Sequence, residues 1–153
     1  MNRASPGLSA PPTRGPRQVL SADTRRGGAK LPPVTAGVDF LRNLVGRFPQ
    51  LEEDCECHVE DNGDPLPHVF FWDVTKAVMH AHNDTDAHYA DLDWRGLIQY
   101  LEETYPTAPL EVKEVIVTSF LMNLPWPAEP AYAIVAELGP ALAEKFRQVR
   151  PAG

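Results

Sequence analysis

Residues 109–124 read PLEVKEVIVTSFLMNL, and the way this stretch folds decides the class of the molecule. Val112, Val115, Ile116, Ser119 and Phe120 fall on one face at helical spacing, and Val117, Leu121 and Leu124 fall on another. Only Glu111, Glu114, Thr118 and Met122 remain as a solvent stripe. The β-branched run Val115-Ile116-Val117 suits a strand, but the length of the stretch and the prolines at 109 and 125 favour a helix. A helix that is apolar around most of its circumference belongs at the centre of a bundle.

The segments on either side have the same period. Thr35 is placed to cap a helix over 36–48 whose stripe is Val38, Leu41, Leu44, Val45 and Phe48. Pro49 suits the first turn of a second helix over 49–61, with Leu51, Cys55 and Val59 inward, and Asn62-Gly63 ends it. Asp64-Pro65-Leu66-Pro67 opens a third helix with an acid at the cap. Its stripe is Phe70, Val74, Ala77, Val78 and Ala81, widened by Phe71, Thr75 and Met79. Of Phe70, Phe71 and Trp72, two belong in the core and one is left as an exposed anchor.

A fourth helix spans 87–105 through Trp94, Leu97, Ile98, Leu101 and Tyr105, and Gly96 within it makes a break near residue 91 affordable. Beyond the rigid Leu124-Pro125-Trp126-Pro127 turn, Pro130 starts a short sixth helix and Pro140 a seventh, which carries Leu142, Phe146 and Val149. No hairpin signal is present. The expectation is an all-α domain over 34–153. Its six or seven helices form a compact bundle or, in a variant not supported by any internal repeat, HEAT-like helical pairs.

Composition narrows the function. The 153 residues suit one domain, 43% of them are apolar, and no apolar run approaches the ~18 residues of a membrane span. Two cysteines do not make a disulfide scaffold. The net charge of −7 divides unevenly: residues 1–33 carry six basic residues and Asp23 alone, for +5, which leaves −12 on 34–153. That balance argues against specific nucleic-acid binding by the folded domain. Residues 1–33 hold six of the 16 prolines, four of the 10 glycines and few apolar side chains, so a disordered basic arm is expected there. The arm is Arg-rich like a transit peptide, but its prolines oppose an amphipathic helix and it has no secretory apolar stretch, so a cytoplasmic location is expected.

The constellations that chemistry needs are sparse. Cys55-Glu56-Cys57-His58 invites a metal reading, but helical residues two apart point about 200° apart. Only Cys55 and His58 can chelate together, with His88 as a third ligand from the next loop; no cofactor is expected. Acids crowd Cys57 and suppress its thiolate. His68 and Asp73, about one and a half turns apart, are the best pair for a small enzyme, yet no nucleophile, oxyanion donor or phosphate loop accompanies them in the sequence. His68 reads as a packing or capping residue.

The strongest local signal is acidic. Residues 52–64, EEDCECHVEDNGD, contain seven acids and no Lys or Arg. Glu52, Glu56 and Glu60 recur every four residues with Glu53 alongside, and Asp61 and Asp64 extend the ridge. Like charges at that spacing cost a helix a few tenths of a kcal/mol per pair. Such a ridge is either a solvated face or a docking surface for a basic protein.

The segments RFPQLEEDCECHVEDNGDPLPHVFFWDV (47–74), LIQYLEETYP (97–106) and EVKEVIVTSFLMNLP (111–125) give the chain its resemblance. It is similar to an uncharacterised family of small, acidic, all-helical bacterial proteins, described as a domain of unknown function. The resemblance runs from Asp39 to Leu124, more loosely to Val149. Its marks are Leu66-Pro67-His68 with Phe70 and Asp73, then Leu101-Glu102-Glu103, then Glu111 to Leu124. It implies a helical fold and no catalytic residue. In general physical type the chain also resembles immunity proteins of bacterial toxin systems. The expected function is therefore a non-enzymatic interaction module that presents Glu52, Glu53, Glu56, Glu60, Asp61, Asp64, His68, Trp72 and Asp73 to a basic protein. A small enzyme or metal protein using His68/Asp73 or Cys55/His58, and a general helical adaptor, are the alternatives.

Overall fold

A computed structural model describes residues 35–152; the expectation for the arm lies outside them. The described residues are all-α, with seven helices and no strand. Helix α1 is Ala36–Arg47, α2 Glu52–Asn62, α3 Pro67–Asn83, α4 Trp94–Thr104, α5 Leu110–Val115 and α6 Pro140–Val149; a 3-10 helix, Pro130–Glu137, precedes α6. No described helix is long and apolar enough to cross a membrane.

Local chemistry accounts for most of the ends. Thr35 caps α1, its hydroxyl accepting the Val38 N–H at 3.3 Å. Pro49–Leu51 forms a 3-10 turn that runs directly into α2. Gly63 ends α2 with φ +78°, a left-handed conformation that costs glycine little. Asp64, expected as the cap of α3, does not cap it. Pro67 starts the helix, Leu66 occupies the cap position, and no side chain of α3's own entry bonds the first turn.

The fourth segment is interrupted. A 3-10 turn at Ala87–Tyr89, N-capped by Asp86, is followed by buried Leu92, and α4 begins only at Trp94 with Asp93 as its cap. The 130–138 segment keeps its inward Ile134 but winds as a 3-10 helix.

The core gathers around α3 and α5. Phe70, Phe71, Val74, Thr75, Ala77 and Val78 are buried on α3, which packs against α1, α2, α4 and the α5 segment. Leu41 and Leu44 of α1, Leu97 and Leu101 of α4, and Leu142 of α6 close around them. Each such Leu or Phe stabilises the fold by about 1.5–3 kcal/mol on burial. Phe40 stacks on Phe71 at 5.5 Å between ring centres.

The 109–124 stretch is a continuous helical rod, as its apolar pattern requires, but not a regular one. After Val115 it widens into a π-helix, Ile116–Phe120, and then tightens into a 3-10 turn, Leu121–Asn123. Side chains supply the reason. The Ser119 carbonyl accepts from the Thr75 hydroxyl at 2.9 Å and from Asn123 Nδ2 at 3.1 Å, while the Thr118 hydroxyl donates back to Glu114 O at 2.8 Å. These bonds compete with the ordinary helical ladder and favour the wider turn.

A candidate docking face on the second and third helices

Helix α2 has little apolar surface to bury, so most of it faces solvent. Glu52, Glu53, Glu56, Glu60 and Asp61 are exposed along it and Asp64 just beyond it. Glu52, Glu53 and Asp54 occupy the first turn, where the helix dipole favours them, whereas Glu60 and Asp61 occupy the last turn, which holds no basic residue of its own. Among the described residues none of the six exposed acids forms an ion pair.

The residue that anchors α2 is His58, buried to 6% exposure, while Cys55 and Val59 are only half-buried. Its Nε2 accepts the Leu66 N–H at 3.2 Å and its ring packs on Phe70 at 5.6 Å, so a side chain from α2 caps the entry to α3. The sequence offers His58 only as a ligand candidate beside Cys55, and the structure places it as an inward anchor between α2 and α3. His88 stands elsewhere, with Nε2 3.8 Å from Asp54. The structure does not bring Cys55, His58 and His88 together as ligands, and no three metal-ligating side chains converge among the described residues. Burial, and then the neighbouring Glu56, push the Cys55 thiol up.

An open groove of about 400 Å³ separates α2 from α3, and Asp54, Asp61, Val69, Asp73, Lys76 and Tyr89 are among its walls. The Tyr89 hydroxyl donates to Asp54 at 3.0 Å. Burial first, then that hydrogen bond, then the charges of Asp54, Asp86 and Asp73 push the phenol well above its ordinary range. Lys76 pairs with Asp73 at 2.7 Å, the one cation set against the acids of the groove among the described residues.

Beside the groove, Leu66 at the cap of α3 (40%) and Val69 (50%) and Trp72 (47%) within the helix are exposed. Val69 and Trp72, three apart, are neighbours on the helix surface, and Leu66 precedes them at its entry. Phe70 and Phe71 are fully buried, so Trp72 is the exposed anchor of the aromatic triplet. The exposure of Leu66 and Val69 had no signal in the apolar pattern, and Tyr89 joins the groove because the 87–89 turn folds back against α2.

The structure does not bring His68 and Asp73 into contact; each has other partners. His68 Nδ1 lies 3.1 Å from the Ser119 hydroxyl and 3.2 Å from that of Thr118, while Asp73 is engaged with Lys76. Ser119 is 6% exposed, so its hydroxyl bridges α3 to the π segment with little access for a substrate. Compared with family models, with curated proteins and with solved structures, the chain finds no match.

Proposed function

We propose that the protein is a non-enzymatic interaction module that docks a basic protein through α2 and the start of α3. One observation carries this reading: six exposed carboxylates, unpaired among the described residues, stand beside an exposed row of Leu66, Val69 and Trp72. Charge of one sign accelerates the approach of an oppositely charged partner and sets its orientation. Exposed apolar side chains next to it supply the area that holds the complex once water is expelled. Uncompensated acids at the wrong end of a helix cost stability, and a bound cationic surface would recover it.

The sharpest form of this reading is a toxin-neutralising, immunity-type protein. Covering a cationic active site with such a face would exclude the site's anionic substrate. The resemblance in physical type to immunity proteins supports the same reading.

The test is affinity capture from the native cell with the full chain, wild type against a variant with Glu52, Glu53, Glu56 and Glu60 all changed to Lys. A basic protein retained by the wild type and lost by the variant supports docking. Capture that is indifferent to the reversal removes the basis for it.

A further inference from the structure

The docking reading above says where a partner binds, and the shape of the face says what part of the partner binds. Resting on that reading, we infer that the recognised element is a basic amphipathic helix laid along the first turns of α3. Its apolar side sits on Leu66, Val69 and Trp72, and its Lys and Arg side chains reach over Asp61 and Asp73.

Three observations lead to a helix. First, Leu66, Val69 and Trp72 form a row of three apolar groups at spacing three. At 1.5 Å per residue Val69 and Trp72 stand about 4.5 Å apart along the axis, the rise between the apolar positions i and i+3 of a second helix, and Leu66 extends the patch at the helix entry. Second, the row lies on a helix, whose backbone N–H and C=O groups are already paired within it. An extended peptide would lay its own backbone against a surface with nothing to bond, whereas a helical ligand brings its backbone satisfied. No strand edge exists among the described residues to accept an added strand.

Third, the charge is on one side. Val69 belongs both to the apolar row and to the groove, and Asp54, Asp61 and Asp73 share that groove with it. A helix seated on the row therefore has carboxylates along its α2 flank, which suits basic residues next to its apolar stripe. Trp72, large and half-exposed, is the residue type that most often dominates such contacts. Lys76 is the opposing element: it sits against Asp73 and repels an incoming cation. Its pair is a surface contact between neighbouring turns, worth little to the fold, so removing the charge leaves the fold intact.

The probe is a displayed library of random peptides of about 16 residues, long enough for four helical turns, selected on the full-length protein. The inference expects enrichment of sequences with apolar residues at helical spacing flanked by Lys or Arg. Synthetic copies of them lose at least about tenfold in affinity on Trp72→Ser. They bind more tightly to Lys76→Met, which a role for Lys76 in the fold alone would not produce. Val69→Ser serves as the second variant should Trp72→Ser fail to fold, as judged by its melting curve.

Enrichment of sequences without that period, no enrichment at all, or binders indifferent to the row overturns the helix inference. The docking reading has its own outcome. If charge reversal on α2 still abolishes capture of the basic partner, docking stands and only the helix falls. If capture is also indifferent, both fall.

Discussion

Helix α6 starts with no side-chain cap of its own. Gly139 and Pro140 open this helix, and neither has a side-chain acceptor for the orphan N–H groups of the first turn. Glu102, from α4, supplies it: Oε1 accepts the Ala141 N–H at 2.8 Å and Oε2 accepts the Leu142 N–H at 2.9 Å. The carboxylate also lies at the positive end of the helix dipole. Losing a cap costs about 1 kcal/mol, and a hydrogen bond to a charged group about 1.5–3 kcal/mol. The contact is partly buried, so Glu102→Ala is expected to cost about 2 kcal/mol, or roughly 8 °C in Tm at ~4 °C per kcal/mol.

Gly139 is what lets the carboxylate in. A Cβ there would stand 2.7 Å from Oε2 and closer still to the rest of the side chain, so Gly139→Ala must push Glu102 out. Its backbone, at φ −69° and ψ 171°, is one any residue adopts. The two changes should therefore couple. Gly139→Ala costs about 2 kcal/mol in the wild type, yet stabilises the Glu102→Ala protein by about 0.5 kcal/mol by restricting the unfolded chain. A thermal-melt double-mutant cycle reads this directly. Additive losses, or a penalty for Gly139→Ala in both backgrounds, would refute the reasoning.

Other expectations follow from single contacts. Arg150 is buried, with its guanidinium bonded to the Leu124 and Pro125 carbonyls and set against the rings of Trp126 and Phe146. Both Arg150→Ala and Arg150→Lys should lose about 2 kcal/mol in urea unfolding, since an ammonium does not span two carbonyls while stacking; a fully stable Lys variant contradicts this. The raised phenol of Tyr89 keeps the folded state protonated where the unfolded chain ionises. That contribution to stability is complete below the ordinary phenol pKa of about 10 and is lost as pH rises through the higher folded value. Asp54→Asn removes the neighbouring charge and should move Tyr89 ionisation to lower pH in an ultraviolet titration taken as a difference from Tyr89→Phe; an unchanged curve means that Asp54 is not a cause.

What the sequence revealed and what it concealed have physical causes. Helices α1 and α3 were legible because each has a strong apolar stripe, and Thr35 explains the start of the first, whereas α3 starts at Pro67, three residues after the acid expected to cap it. The exposed acids of α2 were legible for the opposite reason, since nothing in that segment could be buried in bulk. His58 was not. Apolarity alone assigned the inward face to Cys55 and Val59, whereas the bond to the Leu66 N–H, eight residues away, depends on how the Gly63 turn closes.

The widening of 116–120 was equally hidden. It goes with contacts on the Ser119 carbonyl from Asn123 and from the Thr75 hydroxyl, distant in sequence, which Phe71 O also faces at 2.8 Å. Gly96 alone signals a break before α4 in the sequence, whereas in the structure it is marked by Leu92 turning inward and the Tyr89 bond to Asp54. The groove was illegible for the same reason, because one of its walls, Tyr89, meets Asp54 of α2 only after folding.

The claim on which the functional account stands is that contact is made through α2 and the start of α3. Hydrogen–deuterium exchange on the full-length protein, free and bound to its captured basic partner, measures that most directly. The account predicts slowed exchange over residues 52–76 with little change in α6. Slowed exchange confined to α6 or to the 130–137 segment, with 52–76 unaltered, would contradict it.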